Sequence, residues 1–467
     1  DEAEISGRSL DDAKKEATAL REGYDLLVGR NSIDPNPTGD ISKLSRTWTG
    51  YTYATRGGQF GVNALAEIGN VIGAVGVRAF MRSMPEWKSM VTRAANGELD
   101  HDLARTSELL FAPGIQGMTG VAIKNMDEFG ERLDGSGVVS RVAQAADGPI
   151  KVAGRATSMA SGLNALTDIP QRIAGVEMLR KLARFANGGK ISKGQAARLR
   201  GMGLSNEMQQ RIFKMMREDG AGVYKNGRLV DLDVEKWTDT DALDALTFGI
   251  NREVRSIIQE NDISTVTKYF HHPVGRVMMQ FLRFPMEAVN KQLARSIHYA
   301  DAEAIKSFTS SLFITSTAYI AQTSIDYANN PEELKKRLTP ENIAKVAFMR
   351  TGVSSMIPTA VDMAMPLVGG KVLGEDSDWV NKDGKLFSYG RSTGLTTGLM
   401  GSPVTDTIDR AYRAGSNIVT SALSPNQQVT QQDVKDIFTL VPGYRTLGFK
   451  NAIQAVAETF PESRKED

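Results

Sequence analysis

Cysteine is absent from the 467 residues, which excludes a disulfide framework and any zinc or iron-sulfur site held by thiolates. Histidine is scarce, with four residues. His271 and His272 are adjacent and so leave a helix in different directions, and neither has the three- or four-residue partner of a helical metal site. His101 and His298 stand alone and read as capping or surface residues. Proline is sparse at 16 residues. No Walker lysine loop, dinucleotide fingerprint or nucleophile elbow occurs. Two acidic runs imitate calcium loops and fail: after Asp231, Asp233 and Glu235 the turn position holds Lys236, and around Asn381, Asp383 and Gly384 the terminal ligand positions hold Trp379 and Gly390. No catalytic residue, cofactor or metal is therefore expected of this chain, and no enzymatic activity.

Net charge is nearly absent too, at +1, but the cancellation is not uniform. Residues 1–40 carry −5, 151–217 carry +10 and 218–262 carry −6. The dense centre of the positive block is Arg172, Arg180, Lys181, Arg184, Lys190, Lys193, Arg198 and Arg200. Such a cluster suits phosphate, of nucleic acid or of anionic lipid, and equally suits an acidic protein face. The plainer alternative is a solvated face balanced by the acidic block that follows it.

What is present is helical rhythm. Apolar residues recur every three or four positions, with caps where helices should begin and end. Ser9 and Asp12 open a helix that Gly29 closes. Pro35 and Pro37 mark a linker. A long helical stretch from Asp40 is interrupted at Gly57 and Gly58 and ends before Pro85. Asp168 is expected to cap a helix with Pro170 in its first turn, ended by Gly188 and Gly189, and Ser205 starts another that Gly220 ends. Asn226-Gly227 and Asp383-Gly384 favour the positive backbone angles of tight hairpins. The expected fold is thus all-α, an elongated multi-helix assembly with small β-hairpin insertions near 223–230 and 379–388. Five regions are read along the chain: 1–40, an acidic helix and linker; 41–150, Gly-rich helical; 151–262, basic then acidic with a hairpin; 263–370, amphipathic and Ser/Thr-rich helical; and 371–467, a hairpin and C-terminal helices.

Between Val277 and Ile297, Met278, Leu282, Met286, Val289, Leu293 and Ile297 fall on one helical stripe, and Arg276, Gln280, Arg283, Glu287, Lys291 and Arg295 on another, with a kink at Pro285. The apolar stripe suits core packing or a subunit interface, or an adaptable Met-rich partner surface. Three weakly charged stretches follow a membrane-like pattern in part. Ser307 to Ile325 is 19 residues without a charge, about the length that spans hydrocarbon, yet it is rich in Ser, Thr and Gln. Phe308, Leu312, Phe313, Ile314, Tyr319 and Ile320 are its candidate membrane-active side chains. Gly57 to Val77 carries only Glu67, and its Gly57/Gly61 and Gly69/Gly73 pairs have the spacing that lets helices approach closely. Thr351 to Leu373 is broken by Pro358 and Pro366. Buried helices in a single soluble state, or helices that line a pore in a second state, are both compatible with these stretches.

Two segments carry a family resemblance. Residues 276–295, RVMMQFLRFPMEAVNKQLAR, with Met279, Gln280, Phe281 and Asn290, and residues 59–69, QFGVNALAEIG, resemble the C-terminal region of the largest internal virion protein, the core or ejection protein, of short-tailed, autographivirus-like bacteriophages. The Pro331 to Pro340 linker and MIPTAVDMAMPLVGG from Met356 to Gly370 extend it over most of residues 40–370. The resemblance implies a structural protein in a symmetric core above the portal inside the capsid. It also implies ejection on infection to help form a conduit through the envelope for the genome. Implied partners are other core proteins, the portal, further copies of the chain, genomic DNA and the host inner membrane. The peptidoglycan-cleaving elements of some family members are absent, so that activity is not carried over. Asp1 in place of Met is read as the product of processing or of a longer protein. The alternative is a nucleic-acid-binding virion protein or a virion polymerase-associated fragment.

Overall fold

The computed structural model describes residues 10–27, 33–84, 138–161, 163–217, 221–258, 268–278, 286, 288–352, 412, 416, 429–444 and 449–462. Of these, 78% are helical and one two-stranded antiparallel sheet is present, which makes the fold all-α with a small hairpin. The second expected hairpin, near 379–388, lies outside the described residues, as does the apolar stretch from 353 to 373.

The chain begins with α1 (Leu10–Leu27). In the Pro-bounded linker Asp34 Oδ1 accepts hydrogen bonds from the Asn36 amide at 3.1 Å and the Ser42 hydroxyl at 2.9 Å, tying the turn to α2 (Asp40–Arg56). A single 3₁₀ turn, Gly57–Gln59, separates α2 from α3 (Phe60–Val75). The sequence rhythm then hides a break. Gly76 adopts φ +94°, a backbone state that side chains disfavour, and α4 (Val77–Met84) leaves α3 at 116°.

After the undescribed 85–137 come α5 (Val138–Ser161) and α6 (Leu163–Ala186). Here the expected helix start fails: α6 begins before Asp168 and carries Pro170 in its interior. A proline removes one backbone hydrogen bond from a helix, a loss that packing on several sides of α6 outweighs. Position 150, where the net charge changes, lies inside α5, so that charge boundary is not a boundary between elements.

α6 is the centre of the core. Ile173, Ala174, Val176, Met178, Leu179, Leu182, Ala183, Phe185 and Ala186 are all buried, covering nearly the whole circumference, as expected of a helix surrounded by others. Around it pack α3 and α4 through Val71 and Phe80, then α7 (Lys193–Gly201), α8 (Asn206–Arg217) and α9 (Thr240–Ile257). α8 starts where expected, with the Ser205 hydroxyl accepting from the Met208 amide at 3.1 Å. The first hairpin also forms where expected. Asn226 and Gly227, at φ +52° and +73°, join β1 (Gly222–Lys225) to β2 (Arg228–Leu232) through the left-handed turn that matches strand twist. Its inner residues Leu229 and Leu232 complete the core.

The remaining elements are α10 (Pro273–Met278), a π-helical turn (Val289–Leu293), α11 (Ala294–Tyr299), α12 (Ala302–Asp326), α13 (Pro331–Arg337), α14 (Pro340–Arg350), α15 (Gln431–Phe438) and α16 (Phe449–Ala457). The stripe read from Val277 to Ile297 fails at its last residue, which follows the π turn. A π turn holds more residues than an α turn and so rotates the helix phase. Among the described side chains here Ala288 and Gln292 are buried, Met286, Val289 and Leu293 are half-buried, and Ile297, expected on the apolar stripe, is 69% exposed.

Candidate functional site

α12 is built the wrong way round for a surface helix. Its buried face carries Ser311, Thr315, Gln322, Thr323 and Asp326, while Ile305, Phe313, Ile320 and Ile325 are exposed, Phe313 by 69%. Of the six side chains expected to be membrane-active, Phe313 and Ile320 are exposed, and Phe308, Leu312 and Ile314 are half-buried. Phe308 meets Phe348 of α14 edge-on at 6.3 Å between ring centres. Tyr319 departs from the expectation: it is buried and its hydroxyl donates to the Arg337 carbonyl at 3.1 Å, because that polar tip needs an acceptor in the interior. The exposed face is also less polar than its composition. Thr309, Ser316 and Thr317 donate to the carbonyls four residues earlier at 2.8, 2.8 and 3.0 Å, so their hydroxyl protons are satisfied within the helix. A similar inversion occurs in α2, where Ser42, Ser45, Thr49, Thr52 and Thr55 are buried and Ile41 and Leu44 are exposed.

At Ser307 and Ser311 the polar face of α12 lies on α3 along a seam of small residues, and Thr315 farther along lies 3.2 Å from the Ala347 carbonyl of α14. A side-chain carbon added to Gly69 would overlap the Ser311 backbone, and one added to Gly73 would overlap Ser307. The Gly69/Gly73 spacing therefore sets backbone-to-backbone contact between two helices, the arrangement that small residues permit in membrane helix pairs. The Ser311 hydroxyl lies 2.9 Å from the Ala66 carbonyl and 2.8 Å from Asn70 Oδ1, and Thr315 reaches its own Ser311 carbonyl at 2.7 Å. Glu67, 2% exposed, accepts from Gln292 Nε2 at 2.9 Å and from Asn70 Nδ2 at 3.4 Å. Gln292 also donates to the Ile257 carbonyl at 3.1 Å, so the π turn supplies the amide that satisfies a buried carboxylate.

At the N-terminus of α12 the seam ends in a charge cluster. Arg198 of α7 holds both carboxylate oxygens of Asp301, at 2.8 and 2.7 Å, and stands 3.2 Å from Glu303. Lys181 of α6 pairs with Glu303 at 3.1 Å, and Arg295 of α11 pairs with Glu253 of α9. Tyr299 lies beneath Arg198, 4.5 Å from its ring centre to the guanidinium carbon. Three cations thus meet three carboxylates, and all six are mostly shielded from water. The Arg198 hydrogen bond holds the Asp301 carboxyl down to about 2. Burial works against the Arg198 charge, and its bond to Asp301 with the nearby Glu303 and Glu253 charges outweighs that, so its proton is held more tightly than usual.

This cluster redistributes the positive block. Arg180 is buried, with Glu177 at 2.6 Å and the Leu229 carbonyl at 3.3 Å, and Glu177 also accepts from Ser83 at 2.8 Å. Arg180, Lys181 and Arg198 therefore meet acidic groups of their own chain, and burial keeps them from an outside phosphate. Arg211, at the edge of the block, pairs with Asp239 and Asp241 of the acidic block at 2.6 and 3.2 Å. Arg184, Lys190, Lys193 and Arg200 are exposed, and Arg172 is half-buried. Of the resemblance motif, Met279, Gln280 and Phe281 lie outside the described residues, and Asn290 sits in the π turn.

The acids Asp301, Glu303 and Glu253, and the seam residues Asn70 and Gln292, were not candidates in the sequence reading. Their one local signal is two carboxylates, Asp301 and Glu303, standing just ahead of the uncharged run. Among the described residues no group of three or more His, Asp or Glu could hold a metal ion. The space lined by Asn70, Arg198, Gln292, Arg295 and Ser307 is ≈ 20 Å³, room for about one water molecule. No single described helix is long and apolar enough to cross a membrane, although α3 and α4 together have the composition across their bend. No protein-family model, curated protein or solved structure matches the chain.

Proposed function

We propose that this chain is a structural internal core, or ejection, protein of a short-tailed bacteriophage, which acts in genome delivery without chemistry of its own. In this reading it is packed above the portal inside the capsid as a symmetric oligomer with other core proteins. On infection it passes into the host envelope, where its helices contribute to a conduit at the inner membrane. The observation that carries the reading is α12: its run from Ser307 to Ile325 holds no charge, it lies on α3 through glycines and hydroxyls, and it exposes apolar side chains beside hydroxyls that are already satisfied. Such a helix can leave water without stranding hydroxyl protons.

The test is flotation with, and dye release from, vesicles of phosphatidylglycerol and phosphatidylethanolamine. Binding and release are expected, and the absence of both at every lipid ratio would refute the membrane role. A second reading, nucleic-acid binding, is favoured by the four exposed cations Arg184, Lys190, Lys193 and Arg200, whose contacts to phosphate would be strongly salt-dependent.

A further inference from the structure

One face of α7 is shaped to receive the junction between α11 and α12. Gly194, Arg198 and Gly201 recur at spacings of four and three and share that face. A side-chain carbon on Gly194 would lie 3.0 Å from Asp301 Oδ2 and 3.3 Å from Asp301 Cβ, and one on Gly201 would collide with the Tyr299 hydroxyl. Between the glycines Arg198 binds Asp301 through two hydrogen bonds and covers the Tyr299 ring. The cradle thus grips three consecutive residues, Tyr299, Ala300 and Asp301. The middle one, Ala300, is at φ +43°, a left-handed state unfavourable to alanine, and it is the pivot between two helices. Lys181 and Arg295 add charges behind the grip, facing Glu303 and Glu253. Beyond it, α12 meets α3 through glycine, hydroxyl and amide contacts at Gly69, Gly73, Ser307 and Ser311, while Phe308, Thr315 and Tyr319 tie it to α13 and α14, which follow it in the chain.

We propose that the α7 cradle is a releasable latch. Closed, it keeps α12 lying on α3. Opened, it lets α12 turn about Ala300 and part from the glycine seam together with α13 and α14 as one unit. Charge pairs suit this task because removing one partner leaves the other shielded and unpaired, which strongly disfavours the closed state. What the release serves rests on the proposed membrane role, whereas the latch itself can be measured without lipid.

The absence of cysteine makes a clean test possible. In the G194C/D301C variant, the separation at these positions is near that of a disulfide, roughly 3.5–4.5 Å between Cβ atoms, so oxidation closes the latch covalently. Reduction leaves it without the Asp301 carboxylate. Hydrogen exchange across 302–326 should be at least tenfold faster in the reduced variant than in the unmodified chain, through the C-terminal half of α12, and slow again on oxidation. Asp301→Asn separates latch from helix cap, since asparagine still caps a helix but gives Arg198 no charge; it should also free the whole of α12. Faster exchange confined to 302–306, unchanged exchange, equal loosening of α6 and α8, or failure of the disulfide to form would each overturn the latch. Dye release from phosphatidylglycerol vesicles should be greatest for the reduced form and least for the oxidised one. If no form releases dye while α12 exchange follows the redox state, the membrane reading falls and the latch stands.

Discussion

Gly69→Ala tests the seam between α3 and α12 most directly. The added carbon would overlap Cα and N of Ser311 and lie 2.8 Å from the Ser310 carbonyl carbon. Ordinary carbon contact is about 3.5–4.0 Å and the added carbon would stand 2.3 Å from Ser311 Cα, so the helices must part by roughly 1.2 Å or more. Overpacking of this kind costs about 1–3 kcal/mol. The Ser311 hydroxyl, now 2.9 and 2.8 Å from its two acceptors on α3, would be stretched, a loss of about 0.5–1.5 kcal/mol. Alanine is the better helix former by about 1 kcal/mol, which offsets part of this. The net expectation is a destabilisation of about 2 kcal/mol. Gly23 in α1 is the control: nothing lies within 4 Å of its added carbon, so Gly23→Ala should stabilise by about 0.5–1 kcal/mol. Urea unfolding followed by far-ultraviolet circular dichroism reads both signs. Adding Ser311→Gly to Gly69→Ala should not rescue stability, because the obstacle is backbone. If Gly69→Ala stabilises as Gly23→Ala does, the close approach of the two helices is refuted.

Three further outcomes are expected. Asp301 is depressed to about 2 by Arg198. The stability it contributes is therefore complete above the usual carboxylate range and lost as pH falls from roughly 4 through 2; thermal melts of Asp301→Asn should lack that part of the acid dependence, and an unchanged acid limb would contradict the assignment. Phe313→Glu with Ile320→Glu, both at exposed positions, should leave folding stability within about 0.5 kcal/mol per site while weakening vesicle binding at least tenfold; undiminished binding would remove α12 from the membrane contact. If Arg184, Lys190, Lys193 and Arg200 each neutralise one phosphate, the logarithm of DNA affinity should fall with that of salt at a slope of about −3.6, or about 150-fold from 50 to 200 mM. Reversing the four charges should abolish that dependence, and a flat salt response in the unmodified chain would sink nucleic-acid binding. Arg180 is the wrong position for this experiment, since its removal disturbs the buried Glu177 pair and so the fold.

Legibility followed the range of each interaction. The Asn226-Gly227 turn and the Ser205 cap were readable because each is decided within a few residues, by a left-handed backbone or a hydroxyl beside an amide. Pro170 does not mark a helix start because burial around α6 outweighs a local proline preference. The apolar stripe fails at Ile297 because one π turn changes the phase on which every later position depends. In the positive block, composition counted the charges and could not distinguish Arg198, seated on Asp301, from Arg200, which faces water.

By itself the sequence determined the helical class, the first hairpin, the exclusion of thiolate sites and the Gly69/Gly73 spacing that permits close helix contact. Tertiary structure decided which face of α12 is buried and which cations are internal. The physical reason is distance along the chain. The Ser311 hydroxyl finds its acceptor on Ala66, 245 residues away, and Arg198 finds Asp301 103 residues away. A polar face is buried only where such acceptors wait opposite it, and no local pattern records where they are.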